Sequence, residues 1–357
     1  MDINLLHQIL DIAFQKQVSD IHFEVDNPPF FRAKGQLIRA KMPNLSAADT
    51  ELIAAEVLGQ NGRQLSSDLK EADASYALSS GGRFRVSIFR QKGHYGIVMR
   101  VIPPHIGTFQ ELNITSVLAE IAEAPNGLIL VTGPTGNAKS TTLAAMLRYL
   151  NENHSYNIIT IEDPIEFIFT SQKSCVVQRE VGIDTASFSQ ALKSALRMDP
   201  DVIMVGEMRD KETIDACIKA AETGHLVFST LHTNGAVSTI NRLIGQFPPE
   251  SQEIMRQRLA DILVATVSLR LIKDKTGENI LPVVEIMRAT TTIQACIRDG
   301  RLEEIEKHIE NGASQYQMQT LDMHLLELYK QDRITIEDAK RMTHSMDFER
   351  KVMFESE

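Results

Sequence analysis

The most regular change of pattern in the chain runs from Leu128 to Leu150. Four apolar residues, Leu128 to Val131, predict a short buried strand. A polar loop bearing glycines follows from Gly133 to Lys139. Helical spacing then places Leu143, Met146, Leu147 and Leu150 on one side of Ser140 to Leu150. Similar apolar runs at Ile158–Ile161, Val202–Val205, Leu226–Leu231 and Val283–Met287 predict further strands. Helical patterns over Ser189–Met198, Glu212–Glu222, Ala236–Gln246 and Glu250–Ile272 lie between or beside them. Strands alternating with helices predict a parallel α/β sheet.

The N-terminal third reads differently. Ile3–Phe14 has a helical stripe through Leu5, Ile9, Ile12 and Ala13. Ile21–Val25 alternates as a strand, and Phe31–Ile38 reads as a hairpin about Lys34-Gly35. Asp49–Gly59 reads as a helix capped near Ser46. Arg83–Arg90 and Tyr95–Ile102 read as strands about a turn at Gly93. This predicts a small α+β domain over residues 1–103, closed by Pro103-Pro104 and Gly107 in a linker spanning 104–115. A parallel α/β core is expected over 116–288. A helical segment is expected over 289–357, with helices at Glu303–Ile309, Thr320–Tyr329 and Thr335–His344 and a stripe of Leu321, Leu325, Leu328 and Tyr329.

Strand, glycine loop, lysine, hydroxyl and helix, in that order, form a phosphate-binding loop. Its residues here are Gly133, Pro134, Thr135, Gly136, Asn137, Ala138, Lys139, Ser140 and Thr141. Backbone N–H groups and the positive end of the helix face phosphates. Lys139 supplies a point charge to the β and γ phosphates of ATP, and Ser140 a hydroxyl to Mg²⁺. One residue departs from the pattern: Ala138 stands where glycine is usual, and alanine in a left-handed conformation costs about 1–2 kcal/mol.

Other chemistry-bearing residues fall at strand ends. Glu162, Asp163 and Glu166 follow the second strand of the core, where one carboxylate is placed to orient an attacking water. Glu207 follows the apolar run Val202–Val205, the position of a Mg²⁺-side carboxylate. Thr230 and His232 share a face at the end of Leu226–Leu231. His225, seven residues from His232, points to the opposite face, which excludes a zinc pair. Arg83, Arg85 and Arg100 admit two readings, a solvated basic edge or arginines reaching a nucleotide.

Composition narrows the class. The 357 residues, 43 % hydrophobic and 24 % charged, suit about two globular domains. A net charge of −10 argues against a general nucleic-acid binder. Three scattered cysteines, Cys175, Cys217 and Cys296, read as buried thiols in a reducing compartment. No targeting segment is visible at the N-terminus, and the longest apolar region, Leu259–Ile272, is broken by Asp261, Ser268 and Arg270, so no bilayer span is expected.

The motifs GPTGNAKSTTLAAM, ITIEDPIEF, ALKSALRMDPDVIMVGEMRD and AAETGHLVFSTLHTN, in this order and spacing, resemble the secretion ATPases of type IV pilus and type II secretion systems. SDIHFE at Ser19–Glu24 and GRFRV at Gly82–Val86, in a short N-terminal domain without a tetracysteine segment, resemble the pilus-retraction (PilT/PilU-like) branch. The resemblance implies a RecA-like P-loop core, a PAS-like N-terminal domain and a C-terminal helical segment. It implies ATP and Mg²⁺ as cofactors, Lys139 and Ser140 in Walker A, Glu207 in Walker B, Glu166 as catalytic glutamate, and His225 and His232 in a His-box. It further implies that Arg85 and Arg100 approach nucleotide. The assembly implied is a homohexamer at the cytoplasmic face of the inner membrane, acting on a membrane platform protein and powering retraction. TIQACIRD at Thr292–Asp299 falls on the family's retraction motif with Gln294 in place of an arginine. Two alternatives stay open: an accessory ring partner of a paralogous retraction ATPase, and a pilus-assembly or type II secretion ATPase.

Overall fold

The structure, a computed structural model, describes residues 1–343 and 348, apart from 17, 34 and 104. Lys34 of the predicted hairpin turn, Pro104 of the predicted linker and His344 at the predicted end of the last helix therefore lie outside the described residues. Packing divides the chain into two units. The first holds Met1–His105 and Glu166–Ile168, and the second holds the rest from Ile106 onward.

In the first unit, α1 (Ile3–Gln15) and α2 (Ala47–Gln60) accompany six strands: β1 (Asp20–Phe23), β2 (Phe30–Ala33), β3 (Gln36–Arg39), β4 (Glu71–Ala77), β5 (Arg83–Gln91) and β6 (His94–Ile102). They form one antiparallel sheet in the order β3-β2-β1-β6-β5-β4. α2 starts where Ser46 and Asp49 cap each other's backbone N–H groups in a capping box. Alternation along β5 buries Phe84, Val86 and Ile88 against Ile53, Val57 and Leu58 of α2 and leaves Arg85 to solvent. The pattern missed β4, whose sequence EADASYA carries small and acidic residues with low strand preference; pairing with β5 along its whole length holds it extended.

The second unit starts with α3 (Val117–Ala122). Then follow β7 (Gly127–Thr132), α4 (Lys139–Asn153), β8 (Asn157–Glu162), β9 (Cys175–Glu180), α5 (Phe188–Ala195), β10 (Val202–Val205), α6 (Lys211–Glu222), β11 (Leu226–Leu231), α7 (Ala236–Ile244), α8 (Pro249–Ile262), β12 (Leu263–Lys273) and β13 (Ile280–Arg288). The sheet order is β13-β12-β7-β11-β10-β8-β9, parallel throughout except for β13. Helices cover both faces, so β7, β10 and β11 are buried along their entire lengths. This is the parallel α/β architecture expected for the core.

Two expectations are corrected. The helix expected over Glu250–Ile272 ends at Ile262. From Leu263 the chain extends as β12, with β-branched Val264, Thr266 and Val267 and both faces buried, and it pairs with β7 and β13. Cys175 is not buried: it opens the edge strand β9 and is exposed, whereas Cys217 and Cys296 are buried. β9 itself was unforeseen, because CVVQRE is only half-buried at the sheet edge and shows no apolar run.

The tail holds α9 (Thr291–Asp299), α10 (Ile305–Asn311), the single turn α11 (Ala313–Tyr316), α12 (Leu321–Lys330) and α13 (Ile336–Met342). α12 buries Leu325 and Leu328 of its predicted stripe with Leu281 and Val283 of β13, while Leu321 and Tyr329 are partly buried there and Leu326, outside the stripe, is buried as well. His324 of α12 accepts a hydrogen bond from the Val284 N–H at 2.9 Å, and burial lowers its pKa.

Candidate active site

β7 delivers the chain to the glycine loop. Gly133 has φ of +140°, and a Cβ there would lie 2.3 Å from the Leu269 carbonyl oxygen of β12. A side chain is excluded on both counts. Gly136 has φ of +80°. Ala138 lies in the left-handed region, at φ 58° and ψ 23°, immediately before α4. The strain expected from its sequence position is therefore present. Asn137 holds the adjacent turn: its Oδ1 accepts from the Leu271 N–H at 2.8 Å, and its Nδ2 donates to the Pro134 carbonyl at 3.3 Å. The sequence offered no signal for this clamp, because Leu271 becomes a partner only through the β7–β12 register.

Lys139 opens α4 and is buried. Its Nζ donates to the Pro134 carbonyl at 3.0 Å and lies 3.4 Å from His232 Nδ1. His232 follows β11, and its Nδ1 also lies 3.3 Å from Thr135 Oγ1. On its other side, His232 Nε2 is 3.5 Å from Glu207 Oε2, and that oxygen pairs with Arg209 Nε at 2.6 Å. Three strand ends thus place Lys139, His232 and Glu207 in one line, with the imidazole between the ammonium and the carboxylate. Thr230 does not face this line with a free hydroxyl: its Oγ1 donates to the Gly206 carbonyl at 2.6 Å. Ser140 and Thr141 are half-buried in the first turn of α4.

His225 is not part of this arrangement. It precedes β11 at the opposite end from His232, and its Nδ1 lies 3.0 Å from the Ala220 carbonyl and 3.1 Å from Thr223 Oγ1. Glu166 is exposed in the turn after β8 and groups with the first unit, while Glu162, at the end of β8, is buried and accepts from Thr160 Oγ1 at 2.7 Å and Gln178 Nε2 at 3.1 Å. Arg85 and Arg100 are directly opposed in the β5–β6 ladder of the first unit. Arg100 Nε donates to Asp20 Oδ1 at 3.0 Å. Elsewhere, Cys296, Glu304 and His308 approach one another in the tail, but Arg301 already binds the Glu304 carboxylate, which favours an ion-pair cluster over a metal site.

The loop fits a polyphosphate: a turn with glycine at 133 and 136, a buried lysine and a helix N-terminus converge. The oxygens of Ser140 and Glu207 are hard donors of the kind Mg²⁺ takes while keeping most of its waters.

Residues 2–352 match the family described as type II/IV secretion system protein. The chain belongs to this family. It is 42 % identical over 333 residues to the type IV pilus retraction ATPase PilT of Pseudomonas aeruginosa, covering 93 % of this chain and 96 % of that one. It is 37 % identical over 332 residues to the type IV pilus ATPase PilU of the same organism, covering 93 % and 87 %. A crystal structure of the pilus retraction motor PilT with bound ADP superposes with a TM-score of 0.86 at 41 % identity, covering 96 % of this chain and 98 % of that one. Members of this secretion-ATPase family hydrolyse ATP. Among the described residues, no helix is long and apolar enough to cross a membrane.

Proposed function

We propose that the chain is an ATP-hydrolysing motor of type IV pilus retraction. It works as a homohexamer at the cytoplasmic face of the inner membrane, on a membrane platform protein. The observation that carries this reading is the line Lys139–His232–Glu207 beside the glycine loop, in a chain that matches PilT nearly end to end.

The residues divide the work. Lys139 and the α4 N-terminus hold the β and γ phosphates. Ser140 and Glu207 would hold Mg²⁺, which would supply neutralisation of phosphate charge. His232 contacts the γ-phosphate, poised between lysine and carboxylate. Glu166 orients and deprotonates the attacking water. Arg85 and Arg100 neutralise charge developing on the phosphates.

A second reading, an accessory ring member beside a paralogous motor, draws on the left-handed Ala138. Steady-state turnover of Mg·ATP separates the two. Lys139→Ala is expected to abolish both nucleotide binding and turnover. Glu166→Gln is expected to abolish turnover and keep binding. Full turnover in either variant removes the role assigned to that residue.

A further inference from the structure

β13 is apolar and buried at Val283, Val284, Ile286 and Met287, yet Glu285 stands in its middle. A carboxylate among packed strands is costly unless it is hydrogen-bonded. Its partners are specific. Glu285, Ser268 and Thr132 lie opposite one another on β13, β12 and β7. Thr132 Oγ1 donates to Ser268 Oγ at 2.9 Å, and Ser268 Oγ donates to Glu285 Oε1 at 3.3 Å. The same oxygen accepts from the Ala236 N–H, the first residue of α7, at 2.7 Å. Thr132 is the last residue before Gly133, and Ala236 ends the short loop that begins at His232.

We infer that Glu285 is a positioning residue for the nucleotide site, tying the strand that launches the phosphate loop to the loop that carries His232. Backbone pairing already joins Thr132 and Gly133 to Leu231 at the end of β11, but on the β13 side a cavity of about 360 Å³ opens beside the junction, lined among others by Gly133, Asn234, Arg270, Glu306 and Asp322. With open space on that side, the hydrogen bonds of Thr132, Ser268 and Glu285 add the tie that apolar packing does not supply there. The carboxylate also faces the positive end of α7, where a negative charge is favoured. Burial raises its pKa against the pull of the Ala236 N–H, Ser268 and Arg270, and Glu306 adds to the rise. The sheet itself does not need the charge. An apolar residue of similar volume would leave the α7 N–H and the Ser268 hydroxyl without their acceptor, a desolvation cost for each donor left unsatisfied.

The inference rests on the site being the nucleotide site proposed above, so the test has one readout that turnover does not enter. In full-length protein, amide hydrogen exchange is followed at residues 133–140 and 232–236, with β5 and β6 as reference, beside kcat and KM for Mg·ATP. Glu285→Ala is expected to speed exchange in both segments at least ~10-fold, leaving the reference unchanged. It is expected to lower kcat by about 10–100-fold with KM within about 3-fold. Glu285→Gln, which still accepts from Ala236 N–H, is expected to recover most of both effects. Unchanged exchange in a folded Glu285→Ala overturns the inference, as does a loss of thermal stability with no change in kcat. Should Glu285→Ala fail to fold, Ser268→Ala decides: faster exchange at 133–140 supports the tie, and none overturns it. A wild-type protein that shows no turnover would sink the ATPase reading, while the exchange result would still judge the tie.

Discussion

The two sheets carry their charges in different places. In the first unit, Arg32, Asp20, Arg100 and Arg85 stand opposite one another on β2, β1, β6 and β5, a polar row across the middle of an antiparallel sheet. In the second unit, β7, β10 and β11 are buried along their lengths, and Lys139, Glu207 and His232 lie just past their ends. The reason is coverage. An antiparallel sheet can leave one face to water, so a charged row there costs little and says little. A parallel sheet covered on both faces drives charge to the strand ends, so residues there converge. A charge at a strand end of the second sheet is therefore the stronger pointer to chemistry, while Glu285 in the middle of the edge strand β13 and Arg270 within β12 are charges set inside the strands themselves.

The largest expected effect would break this contrast. Arg85 and Arg100 are like charges directly opposed, an unfavourable pair offset where Asp20 binds Arg100. If they also serve the phosphates, Arg85→Ala and Arg100→Ala each lower kcat by about 10³-fold or more, as loss of an arginine finger does. Folding stability should change by less than about 1 kcal/mol, since Arg100 is largely exposed. Turnover within threefold of wild type in both variants would return them to a solvated row.

His232→Ala sharpens the other side of the comparison. Removing the imidazole between Lys139 and Glu207 is expected to lower kcat by on the order of 10²-fold, and His225→Ala to lower it by less than about threefold, because His225 bonds to Ala220 at the far end of β11. Equal losses would show that the strand, rather than the site, is being perturbed.

What the sequence made legible follows the same division. The parallel core was readable because its strands are short, largely apolar and followed by polar or glycine-bearing turns, and the phosphate loop announced itself through Gly133, Lys139 and Ser140. The strand β12 was hidden because Met255, Leu259 and Ile262 continue a helical spacing directly into Leu263, with no breaker between. Asn137 and Ser268 were hidden because both partners are supplied by register between distant strands. Glu285 did leave a signal, a lone acid inside an apolar run, which periodicity alone passes over.

A smaller effect concerns the helices on β13. His324 accepts from the Val284 N–H and is held neutral, its pKa lowered by burial. The unfolded chain therefore binds more protons just below the ordinary histidine pKa, so stability is full above about pH 6.5 and falls as pH drops through the folded-state value. The slope contributed is at most about 1.4 kcal/mol per pH unit. Thermal unfolding of wild type and His324→Gln between pH 7.5 and 5 measures it. The substituted protein is expected to lose part of the slope, and an unaltered slope would exclude His324 as its source.

The smallest effect bears on the departure at Ala138. A left-handed alanine costs about 1–2 kcal/mol, which glycine would relieve. Glycine also gives the unfolded chain more freedom, which takes back about 0.4–1 kcal/mol. The net gain from Ala138→Gly should therefore lie between about 0 and 1.6 kcal/mol, read as at most a small rise in the unfolding midpoint. Turnover should stay within about threefold, because Asn137 already pins the turn to Leu271 and to Pro134, so the loop keeps its shape with either residue. A large gain in turnover would mean instead that the alanine holds the loop away from its working geometry. That outcome would favour the accessory ring member over the motor.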